Sequence, residues 1–350
     1  MVRNRNSFDS TGYQIEYPTQ NVTAMKCILV TGGAGYIGSH VCKALHARGF
    51  TPVTYDNLSR GHRDFVKWGP FVLGDIRDGS CLDSAIAAHQ PQAVIHLAAY
   101  AYVAESTEKP LDYYDNNVKG SLELLKSLQR NGVRKLVFSS TCAVYGIPTS
   151  VPISERMEPR PINPYGETKL TVEKMITATS VDKSLSYVIL RYFNAAGADL
   201  AGEIGEWHVP EPHIIPSVIE RIMENKPICV YGSDYPTSDG TCIRDYINVV
   251  DLASAHVCAV EHLLKGNASD TLNLGTGKGY SVREIVVQLG RLLNTSPTVE
   301  YAPRRPGDPA ELVANAQRAQ SVIGWTPQVS DLPSILTSAI SWHNRMRECR

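Results

Sequence analysis

Tyr165 and Lys169 stand four residues apart in the stretch Asn163-Pro164-Tyr165-Gly166-Glu167-Thr168-Lys169. Asn163 reads as a helix N-cap and Pro164 as the first helical residue, so phenol and ammonium share one helix face. A neighbouring ammonium favours phenolate and is expected to draw a tyrosine pKa down from about 10, which makes Tyr165 a proton acceptor or donor near neutral pH. In a chain with 17 tyrosines that spacing also arises by chance. Its weight comes from Val137-Phe138-Ser139-Ser140-Thr141, an apolar run closed by three hydroxyls, with Thr141 24 residues before Tyr165. Active sites of parallel α/β sheets gather at the carboxyl ends of strands. There a Thr141 hydroxyl beside Tyr165 can donate to, or accept from, a reacting hydroxyl.

A second set is built to hold a phosphate. Thr31-Gly32-Gly33-Ala34-Gly35-Tyr36-Ile37-Gly38 follows the apolar run Cys27-Ile28-Leu29-Val30 and opens a helix, so Gly33-x-Gly35-x-x-Gly38 sits where a dinucleotide fingerprint belongs. Glycines allow the tight turn and let backbone N–H groups meet a pyrophosphate at the positive end of the helix dipole. Asp56 follows Gly38 by 18 residues and ends the second apolar run. Its carboxylate suits the adenosine ribose hydroxyls and would repel a 2′-phosphate, which favours NAD over NADP. Asp75-Ile76, after the third run, reads equally well as a wall for the adenine and as a surface turn.

The elements that must carry these groups follow from the rhythm of the chain. Short apolar runs at 27–30, 52–55, 71–73, 93–96, 135–138 and 187–190 alternate with helical spacing at 36–48, 79–89, 110–130 and 164–179. That alternation predicts an α/β, Rossmann-like, doubly wound parallel sheet over 25–194. Past Asn194, loops rich in Gly, Pro and Asp (198–213 and 232–245) interleave with helices near 215–225, 249–265, 281–293 and 331–346. The stretch 195–350 is therefore expected to be mainly a smaller mixed α/β substrate-binding lobe, with some chain returning to the sheet. Residues 1–24 show no period and read as a disordered extension, with Met25 as a second plausible start.

The 350 residues are 43% hydrophobic and 20% charged, with 34 Lys and Arg against 35 Asp and Glu, so no basic footprint for nucleic acid is visible. No apolar run reaches the length of a membrane span, and no secretory signal pattern is visible, so a cytoplasmic enzyme is expected. Eight cysteines include no Cys-x-x-Cys pair and no Cys/His cluster with zinc spacing, so no metal is expected.

Taken together, the glycine turn, Asp56, His96-Leu97-Ala98-Ala99, Asn116, Thr141 and Tyr165-x-x-x-Lys169 resemble the extended short-chain dehydrogenase/reductase family. Over residues 26–345 the chain is more specifically similar to the UDP-glucose (UDP-galactose) 4-epimerase branch. The residues that carry this are Tyr113-Tyr114-Asp115-Asn116-Asn117-Val118, Leu190-Arg191-Tyr192-Phe193-Asn194, the run from Asp234 to Tyr246, and Ala302-Pro303-Arg304-Arg305-x-Gly307-Asp308. The resemblance implies a redox-neutral epimerisation of a UDP-sugar through a 4-keto intermediate, with tightly held NAD as cofactor. It implies Tyr165 as acid/base, Lys169 as the group that lowers its pKa and holds the nicotinamide ribose, and Thr141 as hydrogen-bond partner of the 4-oxygen. NAD would be met by Gly32, Gly35, Tyr36, Ile37, Gly38, Asp56, Asn57, Asp75, Ile76, Leu97, Ala98, Asn116 and Phe193 as well as by Tyr165 and Lys169. Asn194, His213, Arg244, Arg305 and Asp308 would hold the UDP-sugar, and a guanidinium fork suits a pyrophosphate. Members of the family dimerise through two helices per subunit, here near 105–130 and 164–179, so a homodimer is expected.

Three pocket positions depart from the best-known bacterial members. Ala101 replaces a lysine, Leu312 a wall tyrosine and His213 an asparagine, which leaves UDP-xylose/UDP-arabinose and UDP-N-acetylhexosamines as alternative substrates. A 4,6-dehydratase would need Asp-Glu after the threonine, where this chain has Cys142-Ala143. A non-catalytic NAD-binding scaffold would be expected to lose Tyr165 or Lys169, and both are present.

Overall fold

Uninterrupted apolar runs become strands here because both of their faces are covered by helices. The computed structural model describes residues 26–182, 184–305 and 307–348, so the extension expected over 1–24 lies outside the described residues. β1 (Cys27–Thr31), β2 (Thr51–Asp56), β3 (Phe71–Leu73), β4 (Ala93–His96), β5 (Lys135–Thr141) and β6 (Ser186–Tyr192) join a further strand, Asp270–Leu274, in one seven-stranded sheet. The order across it is Asp270–Leu274, β6, β5, β4, β1, β2, β3, and every pairing is parallel.

The pleat divides the apolar side chains between two cores. Ile28, Val30, Ile95, Val137 and Val188 pack with α1 (Tyr36–Ala47) and the helix Val249–Leu264. Their neighbours Leu29, Val53, Val94, Leu136 and Ile189 pack with the helices Gly79–His89, Gly120–Arg130 and Pro164–Thr179 on the other face. This is the doubly wound arrangement expected. The chain runs outward from β1 to β2 and β3, then crosses back to β4 on the other side of β1. The loops after β1 and β4 therefore part, and the crevice between them is where ligands of such sheets bind.

Beyond β6 the chain builds smaller sheets. Ile243–Asn248 pairs in parallel with Asn194–Ala196 and Glu311–Leu312 and antiparallel with Gly279–Ser281, while Ile228–Tyr231 pairs in parallel with Val299–Ala302. Helices Ile214–Met223, Val282–Leu292 and Leu332–Glu348 cover them around Ile219, Ile285, Leu289, Ile335 and Leu336. Between these pieces the chain returns to the first sheet through the helix Val249–Leu264 and the strand Asp270–Leu274.

Two strands depart from the sequence-based expectation, for one reason. The stretch 232–245 reads as a loop, yet Arg244 and Asp245 lie in a buried strand. Asp245 accepts from the backbone N–H groups of Thr276, Gly277 and Ala314, and Arg244 pairs with Asp308. Asp270–Leu274 likewise carries Asn273, which accepts from the Tyr145 hydroxyl at 2.8 Å and donates to the Ile153 carbonyl at 2.9 Å. Polar residues whose partners come from distant segments look like loop residues in sequence and are interior ones in the fold.

Candidate active site

Asn163 caps the helix Pro164–Thr179 by accepting from Gly166 N at 2.9 Å, which sets Tyr165 and Lys169 one turn apart at the end of β5. Both are buried, at 6% and 3% exposure. The Lys169 ammonium donates to the Ser139 carbonyl at 2.8 Å and lies 4.9 Å over the Phe138 ring. Thr141 ends β5, its hydroxyl accepts from Ala143 N at 3.1 Å, and it lies against the Tyr165 phenol. The three groups singled out in the sequence therefore meet at one strand end.

The electrostatics correct the sequence reading. Burial raises the Tyr165 pKa well above its usual value, the Thr141 hydroxyl partly offsets this, and no lowering by Lys169 is present. Burial also pushes Lys169 down to about 7, against the opposing pull of Glu173 one turn further along the helix. An ammonium committed to a carbonyl and only partly protonated at neutral pH is a weak source of positive potential at the phenol. The charge that would ionise the phenol is not supplied by Lys169 in this arrangement.

Behind them lies a network the sequence reading missed. Glu173 receives the Arg191 guanidinium, with Nε 3.0 Å from Oε1, and it accepts from the Ser140 hydroxyl. Arg191 also donates to the Tyr145 hydroxyl at 3.0 Å. This ties β5, β6 and the Tyr165 helix together in the interior. The available signal was Glu173 four residues after Lys169, on the same helical face.

The glycine turn lies in the crevice between β1 and β4 and fits a dinucleotide. A Cβ on Gly32, whose φ is +73°, would stand 2.6 Å from Ala98 N, and one on Gly38 would stand 2.0 Å from the Gly32 carbonyl oxygen. The loops after β1 and β4, the latter carrying Leu97 and Ala98, thus approach each other at a distance only glycine permits. α1 begins after Gly35 and has no capping side chain, so its first N–H groups are free to meet an anion. Ile37 packs on the core below the turn. Asp56 sits beside the turn, its carboxylate accepting from Ala34 N at 3.0 Å and Leu58 N at 2.8 Å, with lone pairs to spare for two ribose hydroxyls.

Other cofactor candidates are placed less simply. The Tyr36 hydroxyl donates to the Gly197 carbonyl at 2.7 Å, so its side chain reaches the second lobe. Asp75 is held well below the usual carboxylate range by Arg77 and receives Asn57 Nδ2 at 2.9 Å; these pairs occupy its carboxylate, and Ile76 is buried in the core. Asn116 is buried and donates to the Asn117 side chain at 3.0 Å. Phe193 packs with Cys142, Tyr145 and Leu312 beside the end of β5.

The residues expected to hold a UDP-sugar fall into two groups. His213, Arg305 and Asp308 line a cavity of about 280 Å³ together with Tyr231, Cys242 and Val282. The Arg305 guanidinium stacks 4.2 Å over the Tyr231 ring. Arg244 and Asn194 are not among its walls: Arg244 is paired with Asp308, and Asn194 donates to the Asp245 carbonyl at 3.1 Å. Leu312 is buried next to Cys142 and Phe193, so it walls the site on the Thr141 side with an apolar surface.

Comparison with known proteins identifies the family. The family model described as the NAD dependent epimerase/dehydratase family matches residues 28–275. The UDP-glucose 4-epimerases of Rhizobium leguminosarum bv. trifolii and Rhizobium meliloti are each 52% identical to the chain, over 93% and 92% of its length and 99% and 98% of theirs. The crystal structure of UDP-glucose 4-epimerase from Brucella ovis in complex with NAD superposes with a TM-score of 0.88 at 49% identity, covering 90% of this chain and 97% of that one. An enzyme from Stenotrophomonas maltophila, solved with bound NAD and formylated UDP-arabinopyranose, superposes with a TM-score of 0.90 at 38% identity, covering 93% of this chain and all of its own.

Proposed function

The chain belongs to the NAD dependent epimerase/dehydratase family, and from that premise we propose that it is an NAD-dependent UDP-glucose 4-epimerase, an isomerase that interconverts UDP-galactose and UDP-glucose. The observation that carries the reading is the meeting of Thr141, Tyr165 and Lys169 at the end of β5, beside a turn open to a dinucleotide. Bound NAD would supply a hydride sink and source at sugar C4, together with a positive charge. That charge is what the buried Tyr165 lacks in the chain alone.

Tyr165 would take the proton of the sugar 4-hydroxyl as C4 is oxidised, and return it after the 4-keto sugar has turned over in the site. Thr141 would hold the 4-oxygen, and Lys169 would turn from the Ser139 carbonyl toward the cofactor ribose. Arg305 and Asp308 at the cavity, with His213 at its wall and Arg244 and Asn194 behind, would hold the UDP moiety. The Arg244–Asp308 ion pair would then open to give the guanidinium to a pyrophosphate, a bidentate exchange of one anion for another.

The finer statements rest on separate features. A homodimer is supported by the helical stretch 110–130, where Leu111, Tyr114 and Leu122 are 80%, 42% and 39% exposed. A cytoplasmic setting fits the described cysteines, all of which are free. Among the described residues no helix is long and apolar enough to cross a membrane.

Purified protein given UDP-galactose should yield UDP-glucose, and the Tyr165→Phe variant should lose about 10²- to 10⁴-fold in kcat with its NAD content unchanged. Turnover of UDP-xylose with neither hexose converted would replace the substrate. Full activity in Tyr165→Phe would remove the mechanism.

A further inference from the structure

The segment that leads from the strand Asn194–Ala196 to the helix Ile214–Met223 carries the pattern Glu206-x-His208-x-x-Glu211-x-His213. One ligand atom from each of these four side chains lies within 4.8 Å of all the others. His208 Nδ1 stands 3.4 Å from Glu206 Oε1 and 3.3 Å from Glu211 Oε2, and His213 Nδ1 stands 2.7 Å from Glu206 Oε1 and 3.0 Å from Glu211 Oε1. Glu206 is only 6% exposed, and its Oε1 points into this cluster without a hydrogen-bond donor in usable geometry. Its nearest polar neighbour is His213 Nδ1 at 2.7 Å, so a buried carboxylate here calls for a positive partner, which a protonated imidazole or a metal cation held between the imidazoles and carboxylates would supply.

The spacing and chemistry of the donors select the cation. Ligands bonded at about 2.0–2.1 Å around a tetrahedral Zn²⁺ stand about 3.3 Å from one another. Of the four histidine–carboxylate separations, the two at His208 already match and the two at His213, 2.7 and 3.0 Å, must open, while every ligand-atom pair lies within 4.8 Å. Two imidazoles with two carboxylates suit a first-row divalent metal over Mg²⁺ or Ca²⁺, which take oxygen alone. Four protein ligands close the coordination sphere, the mark of a structural site.

We propose that Glu206, His208, Glu211 and His213 bind a structural zinc ion that pins the segment between the two lobes. The His208 ring meets the edges of Tyr36 and Tyr102, with centroids 6.3 and 5.6 Å away, so the ion would fasten the segment against the cofactor turn. His213 both ligates and lines the 280 Å³ cavity, so the same ion holds one wall of the substrate pocket. Cysteine spacing carries no information about such a Glu/His set.

The test uses the full chain, with zinc as the probe for stoichiometry and Co²⁺ as the probe for geometry. Protein equilibrated with zinc and desalted should retain one equivalent by elemental analysis, and Co²⁺ in its place should give the intense visible bands of a tetrahedral site. His208→Asn and Glu206→Gln, each checked for folding by circular dichroism, should lose the bands and at least about 100-fold in zinc affinity. Wild type retaining less than about 0.1 equivalent, or lacking the cobalt bands, overturns the proposal, as does either variant binding zinc like wild type. UDP-galactose turnover measured on the same preparations separates the outcomes, because an active enzyme without bound metal refutes this site and leaves the proposed activity standing.

Discussion

Lys169→Met is expected to stabilise the fold while removing most of the activity. The ammonium is buried, and burial brings its pKa from 10.5 to about 7, which corresponds to about 5 kcal/mol of charge burial in the folded chain. Methionine keeps most of the apolar stem and discards that cost. The substitution forfeits the hydrogen bond to the Ser139 carbonyl, at about 1–3 kcal/mol, so the net gain near pH 7 is about 2–4 kcal/mol. For some 320 described residues this is a rise in Tm on the order of 3–6 °C.

The pH dependence gives the sign a second check. The folded pKa lies below the unfolded one, so between pH 7 and 10.5 the unfolded chain binds more protons and wild-type stability from this group rises with pH. The advantage of Lys169→Met should therefore be largest at and below about pH 7 and vanish near pH 9, where the remaining charge cost equals the lost hydrogen bond. Thermal unfolding of cofactor-stripped wild type and variant at several pH values measures it, with kcat for UDP-galactose expected to fall at least about 100-fold. A variant less stable than wild type at pH 6.5, or a difference that does not change up to pH 9, would refute the assignment of Lys169 as a charge held in place at a cost to the fold.

Glu173→Gln, one helical turn away, should move stability the opposite way, by about 3–5 kcal/mol downward, because it leaves the buried Arg191 guanidinium unpaired; chemical denaturation reads this directly. Gly38→Ala should fold but carry little NAD after purification, since the added Cβ would stand 2.0 Å from a backbone oxygen that has no side chain to move; cofactor released on denaturation reports the loss. Thr141→Val should keep its NAD and lose roughly 10- to 100-fold in kcat, the worth of one hydrogen bond to a developing charge.

Lys169 and Glu173 also show where a reading of the sequence stops. Helical spacing puts Tyr165, Lys169 and Glu173 on one face, and the cap Asn163 and the closing hydroxyls of β5 place that face at a strand end. These are local relations, and they survive folding. The glycine turn and the first six strands are legible for the same reason, each resting on a short pattern with its own period. The sign of the Tyr165 shift is not local. It depends on how much low-dielectric material surrounds the phenol and on Lys169 being committed to the Ser139 carbonyl, and both are set by packing between β5, β6 and the helix. The strands Ile243–Asn248 and Asp270–Leu274 were hidden in the same way, because Asp245 and Asn273 find their partners at Ala314 and Tyr145, far along the chain. Residues 206–213 share that property, since a loop rich in Glu and His acquires its meaning only once its carboxylates and imidazoles are gathered and the His208 ring packs against Tyr36 and Tyr102. Proximity along the sequence thus identifies which groups can react. The dielectric supplied by the rest of the fold decides in which protonation state they wait, and here burial favours the neutral form of both the Tyr165 phenol and the Lys169 amine.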